Sequence, residues 1–398
     1  ILSGLVGSEM CIRDRIMALD NETLTLLLDA VRRFTHERLI PAEDELAASG
    51  QVPPDIVAEM RELGLFGLSI SPDYGGLGLT MEEEVRVVFE LGQTSPAFRS
   101  LAGTNIGIGS QAIVLAGTDE QRARYLPRLA SGELIGSFAL TEPDAGSDAM
   151  ALRLSAERDG DHYVLNGTKR YITNAPIAGL FSVMARTAPE RRAASISCFL
   201  VEAGTPGLII GKPDKKMGQA GALTSDVVFD NCRVPASALL GGEEGNGFKT
   251  SMRVLDKGRL HISALCVGIA DRLLRDAVQY AMDRKQFGQP ISEFQLIQAM
   301  IADSQAELYA ARCMVLDAAK MRDRGENTTM QAACCKLYAT EMVGRVADRA
   351  VQIHGGAGYM SEYAVERFYR DVRLFRIFEG TTQIQQLVIA REVIKAQG

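Results

Sequence analysis

A single carboxylate near the C-terminus has the neighbours that a carbon-acid base requires. Glu379 follows the apolar residues Ile377 and Phe378 and precedes a glycine, two threonines and a glutamine within residues 376–386. Burial among apolar groups disfavours the charged form of a carboxylate and raises its pKa. A base of raised pKa can remove a proton beside a carbonyl at neutral pH. Taken alone, the stretch also permits a solvated cap at Glu379, with Gly380 ending a strand or helix.

Two segments earlier in the chain combine turn residues with hydroxyl groups. Residues 139–148 follow an apolar, strand-like run and contain Pro143 and Gly146, which favour turns. Residues 166–174 begin with Asn166 and Gly167, which predict a two-residue hairpin turn because both accept positive φ. Without further context, the first segment is equally well an ordinary turn.

Two later segments carry a cation and a glycine run. The guanidinium of Arg284, in residues 284–288, has the planar fork that suits a pyrophosphate, although a helix C-terminus at this position is also expected. The glycines of residues 355–358 do not follow a strand and open a helix, so they fail as a dinucleotide fingerprint. We interpret the neighbouring His354 as structural.

The elements that position these segments fall into three regions. Residues up to about 130 show helical periodicity, interrupted by glycine and proline clusters. Short apolar or alternating runs, typical of strands, occupy about 132–242. A glycine-rich loop at 241–247 precedes long helical patterns that reach the C-terminus, including 299–321 and 330–351. Their apolar surface predicts a helical bundle and an oligomer.

Composition excludes several classes of function. A chain of 398 residues with formal net charge −7 lacks the excess of Lys and Arg that nucleic-acid or anionic membrane surfaces require. Seven cysteines without a C-x-x-C pair, together with four scattered histidines, suggest neither a metal site nor a disulfide framework. No run approaches the ~18 apolar residues of a membrane span. We therefore expect a cytoplasmic protein, and we expect residues 1–16 to be a non-native leader.

The five motifs, in this order and spacing, resemble the acyl-CoA dehydrogenases from residue 17 to the end of the chain. The resemblance implies an α+β, mostly α fold: an N-terminal α-helical domain (17–131), a middle domain of β-barrel or sandwich type (132–242) and a C-terminal four-helix bundle (243–398). It also implies FAD as cofactor. The family frequently has Trp at the position of Tyr171, whereas this chain contains no Trp.

The resemblance assigns site residues by matching positions. Glu379 is the catalytic base; some relatives place the glutamate at the position of Gly258, which cannot act as a base. The residues matched to FAD binding are Phe138, Leu140, Thr141, Gly146, Ser147, Tyr171, Ile172, Thr173, Arg284, Phe287, Phe294, Gln295, Gln352, Gly356, Thr381 and Gln383. Those matched to acyl-CoA binding are Ser147, Asp256, Arg259, Phe378 and Gly380. The group around Arg284 is expected to reach the FAD of a neighbouring subunit, and no metal is expected.

The implied reaction is the α,β-dehydrogenation of an acyl-CoA thioester to the trans-2-enoyl-CoA. Glu379 takes the α-proton, the β-hydrogen leaves as hydride to flavin N5, and the electrons pass to an electron-transfer flavoprotein. The Glu379 backbone N–H and a ribityl hydroxyl are expected to stabilise the thioester oxygen. We expect a homotetramer, a dimer of dimers, acting in fatty acid or branched-chain acyl catabolism. An acyl-CoA oxidase, a flavin monooxygenase and a non-catalytic acyl-CoA-binding protein are the alternatives, and the pocket is expected near residues 91–108 and Leu255.

Overall fold

The N-terminal region is helical, and its helices begin at side-chain caps. The computed structural model describes residues 18–190 and 192–397, so the expected leader lies outside the described residues. Thr80 and Glu83 form a capping box at the start of the fourth helix, and Thr118 and Gln121 do so at the seventh. The helices are α1 (Asn21–Phe34), α2 (Glu43–Ser49), α3 (Pro54–Glu62), α4 (Met81–Leu91), α5 (Pro96–Thr104), α6 (Gln111–Ala116) and α7 (Asp119–Ala130).

The middle region is a mostly antiparallel sheet of seven strands in the order β1-β4-β2-β3-β7-β6, with β5 paired to β4. Its core contains Tyr163, Phe181, Phe199 and Phe229, all almost completely buried. The strands are β1 (Gly136–Ala139), β2 (Ser155–Asp159), β3 (His162–Thr173), β4 (Leu180–Arg186), β5 (Ile196–Glu202), β6 (Leu208–Ile210) and β7 (Thr224–Pro235).

The predicted hairpin turn at Asn166 and Gly167 is wrong. Both residues lie inside the continuous strand β3, at a register shift in its pairing with β7. The turn between β2 and β3 lies instead at 160–161. Gly167 has φ +143°, and a Cβ there would overlap Leu154, so glycine is needed for a β-bulge and a close approach. An Asn-Gly pair accepts positive φ in a bulge as well as in a turn, so the dipeptide alone does not separate them.

Long helices form the C-terminal region. Helix α8 has 37 residues and runs through the whole region, packing against α4, α9 and α10. Its contact face is rich in alanine, glycine and β-branched residues, which allows the helices to approach closely. The elements are α8 (Gly247–Asp283), β8 (Lys285–Gln286), β9 (Gln289–Pro290), α9 (Gln295–Asp323), α10 (Thr329–His354), α11 (Ala364–Val372) and α12 (Thr382–Lys395).

The prediction of a mostly helical α+β fold, with a helical region, a central sheet and a C-terminal helical bundle, is confirmed. Its domain boundaries at 131/132 and 242/243 stay predictions. Across the described part of the chain, no helix is both long and apolar enough to cross a membrane. The same residues contain no cluster of three or more His, Cys, Asp or Glu side chains placed to hold a metal ion.

Candidate active site

The Glu379 carboxylate points into the protein. The residue lies in the loop between α11 and α12, in the left-handed region at φ +51°, and Gly380 follows at φ +90°. A left-handed non-glycine residue costs on the order of 1 kcal/mol or more and is frequent at functional sites. Oxygen Oε2 of Glu379 is sealed from solvent and accepts no hydrogen bond from the described residues. A buried oxygen without a donor is costly in the free protein, so the loop is built around a partner that the chain alone does not supply.

Gly258 makes room for this carboxylate. A Cβ at position 258 of helix α8 would overlap Oε2 of Glu379 and would lie 3.6 Å from Cγ2 of Ile108. Glycine is therefore required by the space that Glu379 occupies, since position 258 is helical and has no positive φ. Glu379, Gly258 and Ile108 thus border one small volume, and a side chain at 258 would displace the carboxylate.

A short π-helical turn at Asn105–Gly109 holds Ile108 at this point. The side chain of Asn105 is fully buried; its amide nitrogen donates to Leu129 O (2.8 Å), and its Oδ1 accepts from the Gly136 N–H (2.7 Å). The turn is thereby fixed between helix α7 and strand β1. Single π turns inside helices often occur at functional sites because they redirect one side chain.

Burial and three nearby cations act in opposite directions on Glu379. Desolvation raises the pKa of Glu379 above its ordinary value, and the positive charges of Arg99, Lys336 and Arg259 lower it. The balance leaves the pKa raised. This combination of a desolvated carboxylate and charged neighbours is typical of a catalytic acid or base.

Arg99, the cation with the largest effect on Glu379, is itself buried and forms no ion pair within the described residues. Its Nε atom lacks a hydrogen-bond partner, and burial lowers the pKa of the Arg99 guanidinium. Arginine nevertheless keeps its charge in proteins. A buried, unpaired guanidinium is rare because ordinary cores pair their charges. Arg99 lies within the region 91–108 in which the sequence placed the pocket.

Two side chains of helix α10 contact the Glu379 loop and the start of helix α12. The ammonium of Lys336, fully buried, donates to Gly380 O at 2.7 Å. The side-chain amide of Gln385 donates to the same carbonyl at 3.0 Å. Thr382 donates through Oγ1 to Glu341 on α10 (2.7 Å). The hydroxyl of Thr381 accepts from the Ile384 N–H and caps α12, so the helix begins directly after the carboxylate.

The segment 139–148 and the end of strand β3 form one surface. The Arg170 N–H donates to Thr141 O (2.8 Å), and Ser137 Oγ donates to Thr173 O (2.6 Å). The ammonium of Lys169, paired with Glu142 at 2.8 Å, also donates to Leu140 O. These contacts place segment 139–148 beside the end of strand β3. The residues matched to FAD in this region are Phe138, Leu140, Thr141, Gly146, Ser147, Tyr171, Ile172 and Thr173, of which Phe138 and Ile172 are buried.

This surface suits a flavin. Tyr171 is 60% exposed, in the left-handed region at φ +58°, so an aromatic ring is presented outward at the end of a strand. A Cβ at Gly146 would meet no atom within 4 Å, and Gly146 has no positive φ, so neither packing nor conformation explains the glycine. The open space at this position leaves room for a bound group. Apolar Phe138 and the hydroxyls of Thr141 and Ser147 supply the mixed lining that cofactor sites share.

Asp256 and Arg259 form a largely buried ion pair. Arg259 is 6% exposed and donates to Asp256 one helical turn earlier (2.6 Å), while Asp256 also accepts from Thr329 (3.1 Å). The two side chains therefore do not form a solvated pair on an exposed helix face. The pair lies on the helix turn that carries Gly258. Its match to acyl-CoA binding stays a prediction.

A second group of matched residues lies far from Glu379. Arg284 and Phe287 follow the end of α8, 26 residues beyond Gly258; at 1.5 Å per helical residue this is about 39 Å. Phe287 is 93% exposed and stacks edge-on against Phe294. Gln295, Gln352 and Gly356 are also exposed. Within one chain these residues and Glu379 are not brought together.

Four residues of the site were missed or named only by region: Arg99, Ile108, Lys336 and Gln385. One signal was present for Lys336, a lone lysine on a helix face of alanine, cysteine and threonine at positions 332, 335, 339 and 340. Arg99 and Ile108 have no local signal, because their partners are distant in sequence. Gln385 lies only five and six residues from the carbonyls it contacts, inside the stretch that the sequence singled out.

Comparisons with known proteins match most of the chain, in all three regions of the fold. The family descriptions that match are acyl-CoA dehydrogenase, N-terminal domain (residues 21–133), middle domain (137–232) and C-terminal domain (245–394). The acryloyl-CoA reductase (NADH) of Anaerotignum propionicum is 43% identical over 372 residues, covering 93% of this chain and 94% of the relative. The caffeyl-CoA reductase-Etf complex subunit CarC of Acetobacterium woodii is 41% identical, over 88% of this chain and 93% of CarC. The structure of butyryl-CoA dehydrogenase from Megasphaera elsdenii aligns with TM-score 0.91 and 35% identity, covering 95% and 99% of the two chains.

Proposed function

This chain belongs to the acyl-CoA dehydrogenase family and is an FAD-dependent oxidoreductase, and we propose that it dehydrogenates an acyl-CoA thioester between Cα and Cβ with Glu379 as the base. The observation that carries the proposal is the sealed, unpartnered Oε2 of Glu379 in the space left by Gly258. An enzyme that abstracts a proton from carbon needs such an oxygen, desolvated and free to accept.

The proton step follows from the position of the carboxylate. Oε2 of Glu379 takes the Cα proton and becomes a carboxylic acid, the Cα–H electron pair forms the new double bond, and the Cβ hydrogen departs with its electron pair. FAD, when bound, supplies the acceptor for that hydride. The positive charges of Arg99 and Lys336 favour the ionised form of Glu379, against the effect of burial. We propose that the Glu379 N–H donates to the thioester oxygen and that Phe378 and Gly380 contact the acyl group.

The cofactor would be held by two sets of residues. In one chain these are the surface of segment 139–148 with Tyr171, Ile172 and Thr173, and the residues Thr381 and Gln383 just beyond the base. The group around Arg284 would serve a neighbouring copy, because about 39 Å of helix separates it from Gly258. The chain would then act as a homo-oligomer, a homotetramer in the implied dimer-of-dimers arrangement.

We also propose an electron-transfer flavoprotein as the electron acceptor. The support is the name of the relative CarC, a subunit of a reductase-Etf complex, at 41% identity. A cytoplasmic location is proposed as well; the six cysteines within the described residues are free thiols, as a reducing compartment permits.

A second candidate is the same chemistry in the reverse direction. Two of the relatives named above are reductases of 2-enoyl thioesters by their names. Glu379 would then act as the acid that protonates Cα, which a carboxyl of raised pKa also permits. Measuring the reaction from both ends, with saturated and 2-enoyl thioesters, distinguishes the favoured direction.

The substitution Glu379→Gln tests the base. Because glutamine keeps the shape and loses the basic oxygen, the variant should bind FAD and acyl-CoA as before, yet mixing it anaerobically with acyl-CoA should leave the yellow absorbance unbleached. We expect the rate of bleaching to fall by more than about 10³-fold. Bleaching at the unmodified rate would place the base elsewhere. Peroxide formation by the unmodified enzyme under air would favour the oxidase alternative.

A further inference from the structure

A buried lysine holds the loop that carries Glu379. Lys336 lies in the first third of α10 with no exposed surface, and its Nζ atom donates to the carbonyl of Gly380 at 2.7 Å. An ammonium has three N–H donors. Among the described residues, no carboxylate lies within ion-pair distance of the Lys336 ammonium. The other two buried lysines, Lys169 and Lys257, pair with Glu142 and Glu84.

The carbonyl of Gly380, which accepts from Lys336, belongs to a strained turn. Glu379 and Gly380 both have positive φ, and the amide of Gln385 reaches the carbonyls of the two residues at 3.4 and 3.0 Å. A conformation of this kind persists only where surrounding contacts fix it. Of these hydrogen bonds, the one from Lys336 is the shortest and the only one with a charged donor. Removing it would free the turn that aims the carboxylate.

The charge of Lys336 also acts on the carboxylate itself. The cations that face Glu379 are Arg99 from α5, Arg259 from α8 and Lys336 from α10, and each lowers the pKa of Glu379 against the effect of burial. Arg259 already has a partner in Asp256. Burial lowers the pKa of Lys336 to about 8, with Cys266, Glu379, Arg259 and Glu341 as its charged or titratable neighbours. Its ammonium is therefore charged at neutral pH and below.

We infer that Lys336 is a positioning residue for Glu379: its ammonium anchors the carbonyl of Gly380, fixes the turn that aims the carboxylate, and places a positive charge beside it. The inference rests on the proposed role of Glu379 as the base. An apolar residue would pack on this helix face at less cost than a buried cation, so a structural role alone does not account for the lysine.

Three substitutions separate the two effects. Lys336→Met removes the donor and the charge, Lys336→Gln keeps a donor without the charge, and Lys336→Arg keeps the charge. With the FAD-loaded enzyme, we expect the acid limb of anaerobic flavin bleaching to move up by about one pH unit in the Met and Gln variants and to stay in place in the Arg variant. The maximal rate should fall at least tenfold in the Met variant and less in the Gln variant, while affinity for FAD and acyl-CoA changes less than twofold.

Lys257→Met is the matched control, because it removes a buried lysine of α8 that pairs with Glu84 and has no part in the charge balance of Glu379. It should lower stability without moving the acid limb. A readout independent of turnover is the infrared carbonyl band of protonated Glu379, identified by its loss in Glu379→Gln. Titration of that band should shift upward in Lys336→Met and Lys336→Gln alone.

An acid limb and infrared titration unchanged in both neutral variants would overturn the inference, as would an equal shift in Lys257→Met. Neither result would contradict the proposed role of Glu379 as the base, which the Glu379→Gln variant tests separately. Loss of bleaching in Glu379→Gln together with unchanged titration in the lysine variants therefore rejects the positioning role and keeps the proposed function. Should the Met variant fail to fold, the Gln variant alone decides the question of charge.

Discussion

At the residue scale, Gly258 and Glu379 compete for the same space. A methyl group at position 258 would overlap Oε2 of Glu379, so Gly258→Ala should force the carboxylate to move. Overpacking of this kind costs about 1–3 kcal/mol, and displacement of a catalytic group by about 1 Å can reduce the rate a hundredfold. We expect anaerobic bleaching to slow by about tenfold to a hundredfold, with FAD binding retained.

Gly107→Ala is the control for adding a methyl group. A Cβ at position 107 meets no atom within 4 Å, although the residue is buried in the π turn beside Ile108. Its rate should stay within about twofold of the unmodified enzyme. Equal rates in Gly258→Ala and the unmodified enzyme would mean that the Glu379 loop adapts without loss, and that position 258 does not define the site.

The same scale shows which residues the sequence could reveal. Glu379 could be proposed because its apolar neighbours and the glycine after it are adjacent in the chain, and because the order of the five motifs resembles a family; the stretch alone also permitted a solvated cap. Arg99 could not, since it acts on a group 280 positions away through the fold. Lys336 reaches a carbonyl 44 positions later, and its signal was only a charge on an apolar helix face. Local patterns identify a reactive group, whereas the charges that tune it depend on tertiary packing.

At the scale of elements, α4 and α8 are joined by a buried polar trio. Glu84 on α4 accepts from Lys257 Nζ at 2.8 Å and pairs with His261 Nε2 at 2.7 Å. The carboxylate only accepts, so His261 Nε2 carries the proton and Nδ1, which has no partner among the described residues, holds a buried lone pair. Burial lowers the pKa of His261 to about 4, and Glu84 only partly offsets this.

This lowered pKa predicts a loss of stability in acid. Between pH 6.5 and about 4 the unfolded histidine binds a proton that the folded one does not, so the free energy of unfolding falls as pH drops through that window. Its decrease from pH 7 to pH 5 should be smaller in His261→Gln than in the unmodified protein, by on the order of 1–2 kcal/mol. Urea unfolding of both proteins at pH 7 and pH 5 measures this decrease in the free energy of unfolding.

The difference between the two proteins is the informative quantity. Asp371, whose pKa burial raises to about 6, titrates in the same window but does so in both proteins, and it cancels. Equal slopes of stability against pH in the two proteins would show that His261 charges freely in the folded state. Such a result would contradict the buried, neutral ring bound to Glu84.

Helix and strand types were predictable at this scale, because long apolar periodicity and short alternating runs are properties of the local sequence. The hairpin at Asn166 was not, since a bulge inside a long strand and a turn between two strands both accept an Asn-Gly pair. Strand order also lay beyond the sequence. The parallel pairing of β1 with β4, across more than 40 residues, depends on packing that no local pattern encodes.

At the scale of the whole molecule, one chain keeps the proposed base and the residues around Arg284 far apart. Glu379 lies near the start of α8, and Arg284 and Phe287 lie beyond its far end, about 39 Å away. An aromatic residue 93% exposed at the tip of a short hairpin is costly in water unless another surface covers it. The proposed symmetric oligomer, in which each copy would complete the site of its neighbour, accounts for these observations.

Mixing two inactive variants tests this arrangement. Glu379→Gln lacks the base and Arg284→Ala lacks the distal contact, so each alone should show little bleaching. In a mixed dimer, the intact Glu379 of one chain meets the intact Arg284 of the other at one of the two sites. The purified mixed species should therefore show about half of the unmodified activity, and an unpurified random mixture about a quarter. Coexpression with two affinity tags and tandem purification isolates the mixed species. The control pairs Glu379→Gln with the double variant Glu379→Gln/Arg284→Ala, which leaves no intact base and should stay inactive. If coexpression restores nothing although both tags copurify, then Arg284 acts within its own chain or not at all, because only a site assembled across the interface can be rebuilt from chains that are each defective at a different position.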